Sequence, residues 1–210
     1  KPDGGPIMAR VTSETYSTVA MVLHWLIALS IIGLIAAGTW MVDAIKVPET
    51  QGQAFVVYQF HKSLGLTVLV LSVARLAWRF VKPPPPLPSS MSGWERFAAH
   101  VSHTVFYVLM IGMPLLGWAM VSASPLGLPT IVFGFFEWPH IPYLANLTDK
   151  KPVEDALKQA HETGGFILAV LLVLHVVAAL KHHFVNKDNV LARMVPGVRA
   201  PRSVTEKEHA

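Results

Sequence analysis

His161 and His175 lie fourteen residues apart on one long apolar segment. At about 1.5 Å rise and 100° per residue, fourteen steps advance roughly 21 Å along an α-helix and stop about 40° short of four full turns. Both imidazoles therefore face the same side. Imidazole is a common metal ligand, and a helix with one His near each end, both aimed into a bundle, is arranged to hold two metal centres. The opposite ligands must come from other elements, and His24 and His61 stand on apolar segments of their own.

Those elements follow from composition. The chain has 210 residues, 52% hydrophobic and 14% charged, with mean hydropathy +0.46, too few charges for a soluble domain of this size. A bilayer core of about 30 Å takes about 20 apolar residues to cross. Four stretches are long enough: about Thr18–Val42, Phe55–Val81, Phe97–Ala123 and Asp155–Val185. The first is a poor signal peptide, because its apolar run is too long, contains His24 and Trp25, and lacks a clear small-residue cleavage site. Lys1–Ile7 reads as a remnant of processing or expression, with Met8 a native start. The expected fold is an all-α integral membrane protein, a four-helix bundle over 18–197. A leading segment (1–17) precedes it and a tail (198–210) follows.

There is no cysteine. This excludes disulfides, iron–sulfur clusters and covalent C-x-x-C-H haem attachment. A metal held here is held by His, and any haem is non-covalent and b-type.

Charge predicts the orientation. Twelve of the 17 basic residues fall on one side of the four spans: Lys1, Arg10, Arg75, Arg79, Lys82, Arg96, Lys181, Lys187, Arg193, Arg199, Arg202 and Lys207. The positive-inside rule makes that side, and both termini, cytoplasmic. The other side has five lysines (Lys46, Lys62, Lys150, Lys151, Lys158) against seven acids (Asp43, Glu49, Glu137, Asp149, Glu154, Asp155, Glu162), a net of about −2. The overall charge of +4 is thus a topological signal. No basic stripe for nucleic acid is visible.

Two connections stand out. KPPPPLP at Lys82–Pro88 cannot be helix and reads as a stiff polyproline spacer. The longest loop, about Ser124–Glu154, is rich in Pro, Gly and aromatics. It is more apolar than a solvated linker and is expected to fold down as a lid over the outer end of the bundle.

Depth now pairs the histidines. His24 lies about six residues into the first span from the cytoplasmic side, and His61 a similar distance into the second from the periplasmic side. On the fourth span His161 is outer and His175 inner. The level-matched pairs are His24 with His175 and His61 with His161, each clamping one haem iron from two facing helices. Gly65, Gly164 and Gly165, close after these His, either make room for a macrocycle or let helices approach closely. Any one such His alone is read equally well as a core residue bonded to a carbonyl. Four at two matched depths argue against that reading, because ionisable groups inside membranes are expensive and tend to be functional. His100 and His103, with no partner at their depth, read as interfacial or supporting residues. His182 and His183 read as interface anchors beside Lys181, with contact to a haem propionate or quinone head as the sharper alternative. His140 and His209 read as solvated. Tyr107 and Pro114 read as packing and a kink.

The residues also resemble a known family. LHW at Leu23–Trp25, FHKSLG at Phe60–Gly65, the His161-to-His175 interval and the KPPPPLP loop match it. So do HVSHTVFYVLMIGMPLLGW in the third span and ALKHHFVNKDNVLARMVPG at the end. In this order and spacing, over about Thr18 to Gly197, the chain resembles the prokaryotic diheme cytochrome b561 family of inner-membrane proteins. The resemblance implies two b haems (protohaem IX), each bis-His, with His24 and His175 on the inner one and His61 and His161 on the outer. It implies electron transfer from a periplasmic one-electron donor, superoxide foremost, to ubiquinone, that is, a superoxide:ubiquinone oxidoreductase of the inner membrane. Anion steering by Lys46, Lys62, Lys150, Lys151 and Lys158, and quinone or propionate contacts at Arg75, Arg79, Lys181, His182 and His183, are the expected substrate-site residues. The slightly negative outer charge departs from the positive mouth such an enzyme is expected to present to an anion.

Three other readings compete. One is the haem b membrane anchor, or quinone-reducing subunit, of a larger respiratory oxidoreductase. A second is a His-lined proton channel or transporter, which predicts discontinuous helices and inverted repeats; no repeat is visible in the sequence. The third is a structural scaffold with His packed in its core.

Overall fold

The structure is a computed structural model that describes residues 15–195, 197 and 198. The expected remnant at Lys1–Ile7, the start at Met8 and most of the leading and trailing segments lie outside the described residues. Lys1, Arg10, Arg199, Arg202, Lys207 and His209 lie there too.

Four long helices are present: α1 (Thr18–Ala44), α2 (Gln51–Val81), α3 (Gly93–Ser122) and α5 (Lys151–Lys181). All four are long and apolar enough to cross a membrane. Helices α2, α3 and α5 begin about four residues before the expected spans. Hydropathy marks only the hydrocarbon-crossing part, whereas the backbone ladder continues through polar first turns. At 31 residues, α2 is roughly 46 Å long, well beyond a core of about 30 Å.

Local chemistry sets the helix ends. Ser17 caps α1, its hydroxyl accepting from the Ala20 N–H. Ser92 and Glu95 form a reciprocal capping box that starts α3. The proline run after Val81 cannot continue α2, since it offers no N–H donors. Helix α5 passes into a π-helical turn, His182–Asn186, which stops at Lys187 in the left-handed conformation (φ 53°).

Helix α1 packs on α2, α2 on α3, and α3 on α5. The centre of the bundle is an apolar layer of Ile27, Ile31, Val68, Met110 and Leu168. The outward faces carry large exposed apolar side chains such as Leu29, Val70, Phe80, Phe166 and Val173. Helices that are apolar all round suit lipid rather than water.

Both described ends of the chain meet at one end of the bundle, where the Trp25 indole donates to the Met194 carbonyl at 3.0 Å and the Tyr16 N–H to the Arg193 carbonyl at 3.3 Å. At the opposite end the long loop folds back onto the helices, as its composition predicts. It forms a hairpin the sequence reading did not name: β1 (Thr130–Val132) antiparallel to β2 (Phe136–Trp138), followed by the short α4 (Pro142–Ala145). Side chains of α2 stand in for a neighbouring strand of β1. Gln59 donates to the Pro129 carbonyl (2.9 Å) and accepts from the Ile131 N–H (3.1 Å), while the Ser63 hydroxyl accepts from the Phe133 N–H (3.0 Å). On the other flank the Trp118 indole donates to the Pro139 carbonyl, and the Ile141 N–H donates to Ser122.

Candidate functional site: two facing pairs of imidazoles

Helix α5 presents His161 and His175 toward α2 and α1. The His24 and His175 ring centroids are 6.3 Å apart, and those of His61 and His161 6.4 Å. The structure thus brings together the pairs that depth matching predicts. Among the long helices α5 packs closely on α3 alone, so its backbone stands back from α1 and α2. The imidazoles face each other across those wider gaps. Leu168, buried in the apolar layer, lies midway between His161 and His175 and separates the two levels.

The donor set fits a haem. Two imidazoles trans to one metal ion, with bonds of about 2 Å, have ring centroids roughly 6 Å apart, close to both distances seen. Among the described residues no cluster of three or more His, Asp or Glu is arranged around a metal ion. A site with three or four protein ligands of the zinc type is therefore not formed, whereas a porphyrin brings its own four equatorial nitrogens and needs only two axial ligands. The Nδ1 atoms of His61 and His161 are buried without a formed hydrogen bond, beside the carbonyls of Leu34 and Met113 respectively. A ligating His commonly points its second ring nitrogen at such a carbonyl, which fixes the tautomer and leaves Nε2 for the metal.

Room for the hairpin-end pair comes from glycines the sequence reading did not single out. A Cβ on Gly38 would lie 3.3 Å from His61 Cε1, and one on Gly117 would lie 3.2 Å from His161 Cε1. Gly65, by contrast, has open space beside it. Gly164 lets α3 and α5 approach, since a Cβ there would collide with Met113 Sδ.

The other end differs from expectation in two respects. His103 has a partner at its depth: its ring is 5.8 Å from that of His175, and Phe106 stacks edge-on to His175 at 5.2 Å. His100, three residues earlier and so about 60° round the helix and about 4.5 Å nearer its end, is exposed and contacts the Arg96 carbonyl at 2.6 Å. His182 is no interface anchor. It is buried, paired through Nδ1 with Asp188 at 2.6 Å, because the π-helical turn folds the chain back over it.

Of the other expected residues at this end, Arg75 points inward, donating to the Ala20 carbonyl and hydrogen-bonded to Tyr107. Arg79 is exposed. Lys181 is held by Glu95 at 2.6 Å. His183 lies edge-on to Phe184 with a buried, unbonded Nδ1. Burial raises the Tyr16 phenol above its usual pKa, although Arg79, Arg75 and Arg193 pull it down. Tyr16 is therefore a neutral hydroxyl beside an arginine group.

At the hairpin end most of the five lysines are engaged. Lys46 pairs with Asp43 (2.9 Å), which raises the lysine pKa through a hydrogen bond and charge. Lys62 donates to the Pro129 carbonyl (2.8 Å). Lys151 pairs with Asp155 and Glu154, and Lys158 reaches Glu162 at 4.0 Å. Lys150 makes no ion pair among the described residues.

Four apolar helices with imidazoles facing in pairs at two levels define a class: membrane helix bundles of the haem-carrying b-type cytochromes. The profile of the prokaryotic cytochrome b561 family matches residues 15–197, and the chain belongs to that family. It is 35% identical over 185 residues to cytochrome b561 homolog 2 of Escherichia coli (strain K12), covering 88% of this chain and 93% of that one. It is 33% identical over 191 residues to the probable superoxide oxidase CybB of Yersinia pestis (89% and 98% covered), and 29% identical to the E. coli cytochrome b561 homolog 1 over 189 residues (86% and 97%). The protein is therefore a bacterial membrane cytochrome that carries haem b and transfers electrons across the membrane.

Proposed function

We propose that two haems b sit between α5 and its partners, one held by His24 and His175 and one by His61 and His161. Electrons pass from the hairpin end, facing the periplasm, to the terminal end, facing the cytoplasm. The observation that carries this reading is the recurrence of one arrangement, facing imidazoles 6.3 and 6.4 Å apart, at two levels of one helix. Each bound haem supplies a one-electron carrier. The chain's own residues hold it in place, exclude water with the apolar layer around Leu168, and orient the outer ligands through the carbonyls of Leu34 and Met113. Both termini are cytoplasmic in this reading because Arg75, Arg79, Lys82, Arg96, Lys181, Lys187 and Arg193 gather at their end.

The donor is superoxide and the acceptor ubiquinone, a reading supported by the relative named a probable superoxide oxidase. Two superoxide anions each give up one electron and leave as dioxygen. Two electrons and two protons convert one ubiquinone to ubiquinol. Arg75 and Tyr107, beside the His24–His175 level, are the groups we assign to a propionate or quinone oxygen; Lys181, tied to Glu95, is less free to serve. The test is superoxide-driven ubiquinone reduction by the purified, haem-loaded protein. A rate no higher than the uncatalysed background sinks superoxide as the donor.

A second reading concerns only the donor. The lysines expected to attract superoxide are largely neutralised by Asp43, Asp155, Glu154 and Glu162, which favours a protein donor docking at the hairpin end. In that case the chain reduces ubiquinone as the haem subunit of a larger oxidoreductase. The channel reading is disfavoured because all four long helices are continuous.

A further inference from the structure

Between β1 and β2, where Val132 pairs with Phe136, the chain reverses over three residues, Phe133–Phe135. Phe133 (φ 47°) and Gly134 (φ 82°) are both left-handed, and the Phe135 N–H donates to the Val132 carbonyl at 2.9 Å. A left-handed backbone in such a turn normally takes Gly, Asn or Asp. A phenylalanine there is unfavourable for the backbone, so its side chain needs another explanation. The turn also displays its aromatics: Phe135 is 86% exposed, Phe136 53% and Phe133 46%.

Two observations fix where this cluster stands. The hairpin is tied to Gln59, Lys62 and Ser63 of α2. Beyond Lys62 that helix has no charged residue until Arg75, and beyond Glu162 α5 has none until Lys181. The facing of His61 and His161 brings those two starting points to one level, so the charge-free stretch of both helices begins there, within about two turns of their polar first turns. Secondly, Phe133 stacks edge-on to Phe60 at 6.1 Å, and Phe60 is exposed on the outward, lipid-facing surface of α2 next to Val56. The aromatic turn thus continues the lipid-facing surface of the bundle. Interfacial segments of membrane proteins bury large apolar side chains such as Phe at the headgroup–acyl boundary, because their rings leave water there.

We propose that the Phe133–Phe136 turn is a membrane-interface anchor, its phenylalanines seated in the headgroup–acyl boundary beside the outer end of α2. The occupant of this surface is lipid rather than a second protein. Anchored in this way, the hairpin clamps the end of α2 that carries His61.

The absence of native cysteine allows a direct test. The full-length, haem-loaded protein with Phe135→Cys carries a nitroxide label and is reconstituted into phosphatidylcholine vesicles. Power saturation compares accessibility to oxygen and to a water-soluble nickel chelate. Labels at Val70→Cys, on the lipid-facing side of α2, and Asp149→Cys, in the loop, calibrate lipid and water. The label at 135 should favour oxygen over nickel, with a ratio nearer that of residue 70 than that of residue 149. Phe136→Cys should behave likewise, which guards against one unrepresentative site. Nickel accessibility equal to that of residue 149 overturns the proposal. So does an immobilised label shielded from both reagents, the result expected if a second copy or a partner protein covered the turn.

Discussion

His61 and Gly38 meet with no side chain between them: a Cβ on Gly38 would stand 3.3 Å from the imidazole Cε1. Gly117 repeats the relation with His161 at 3.2 Å. Each ring lies beside the carbonyl four residues before the glycine it touches, Leu34 and Met113, so one local device holds both imidazoles at the hairpin end.

Gly38→Ala and Gly117→Ala should therefore displace their ring by a few tenths of an ångström and shift the midpoint potential of the outer haem alone. Gly38→Val, which overpacks the site by about 1–3 kcal/mol, should lower outer-haem occupancy. Redox titration followed by optical absorption separates the two haems. Unchanged potentials in both alanine variants would show that the glycines merely fit the rings and do not set them.

The pairing itself is open to a direct check. His24→Ala and His175→Ala should each remove the same haem, and His61→Ala and His161→Ala the other. The haem-to-protein ratio then falls from about two to about one, in keeping with two axial ligands per haem. If His24→Ala and His175→Ala removed different haems, the level matching would be wrong.

His103→Ala should leave both haems bound, because His103 stands beside His175 rather than opposite it in a pair. Its removal is expected to alter the spectrum and potential of the inner haem only, the usual sign of a neighbour that tunes a ligand. Loss of that haem would make His103 a ligand.

The paired lysines bear on the donor. If superoxide is oxidised here, Lys46→Gln should change the second-order rate constant by less than about twofold, since an exposed lysine already paired with an acid adds little to the field. The rate should also depend weakly on ionic strength between about 0.02 and 0.2 M. A steep fall with salt would mean that the lysines act free of Asp43, Glu154, Asp155 and Glu162.

Gln59→Ala should loosen the hairpin. It strips the Ile131 N–H of its acceptor in a half-buried setting, while the Pro129 carbonyl keeps Lys62, and leaving such a group unsatisfied costs about 1–3 kcal/mol. Faster limited proteolysis within the 124–150 loop is the expected readout, with haem content retained. Ser63→Ala, which removes the acceptor of the Phe133 N–H, should act in the same direction.

Much of this protein was legible in its residues because lipid imposes simple rules. Runs of about 20 apolar residues mark spans, and the chain has four helices of that kind. The helical period of 3.6 residues fixed which way His161 and His175 face, and counting depth from the span ends selected His24 and His61 as their counterparts. What escaped that reading depends on rotation about a helix axis relative to a neighbour. His100 and His103 look equivalent in sequence, yet a rotation of about 60° and a step of about 4.5 Å leave His100 exposed and bring His103 beside His175. A Cβ on Gly65, one turn from His61 in sequence, would meet nothing, while Gly38 and Gly117 on other helices cradle the rings.

The sequence by itself determined the solvent, the number of long helices, the absence of cysteine chemistry and the four histidines that face one another. The first three follow from composition, and the last from the helical period of one segment together with depth counted from the ends of the others. Tertiary structure alone decided which glycines make room, that most of the lysines at the hairpin end are tied to acids or a carbonyl, that His182 is buried against Asp188, and that the loop becomes a hairpin docked on α2. These arise where separate elements meet, and the pairing of side chains across such gaps is set by packing, which no local pattern encodes.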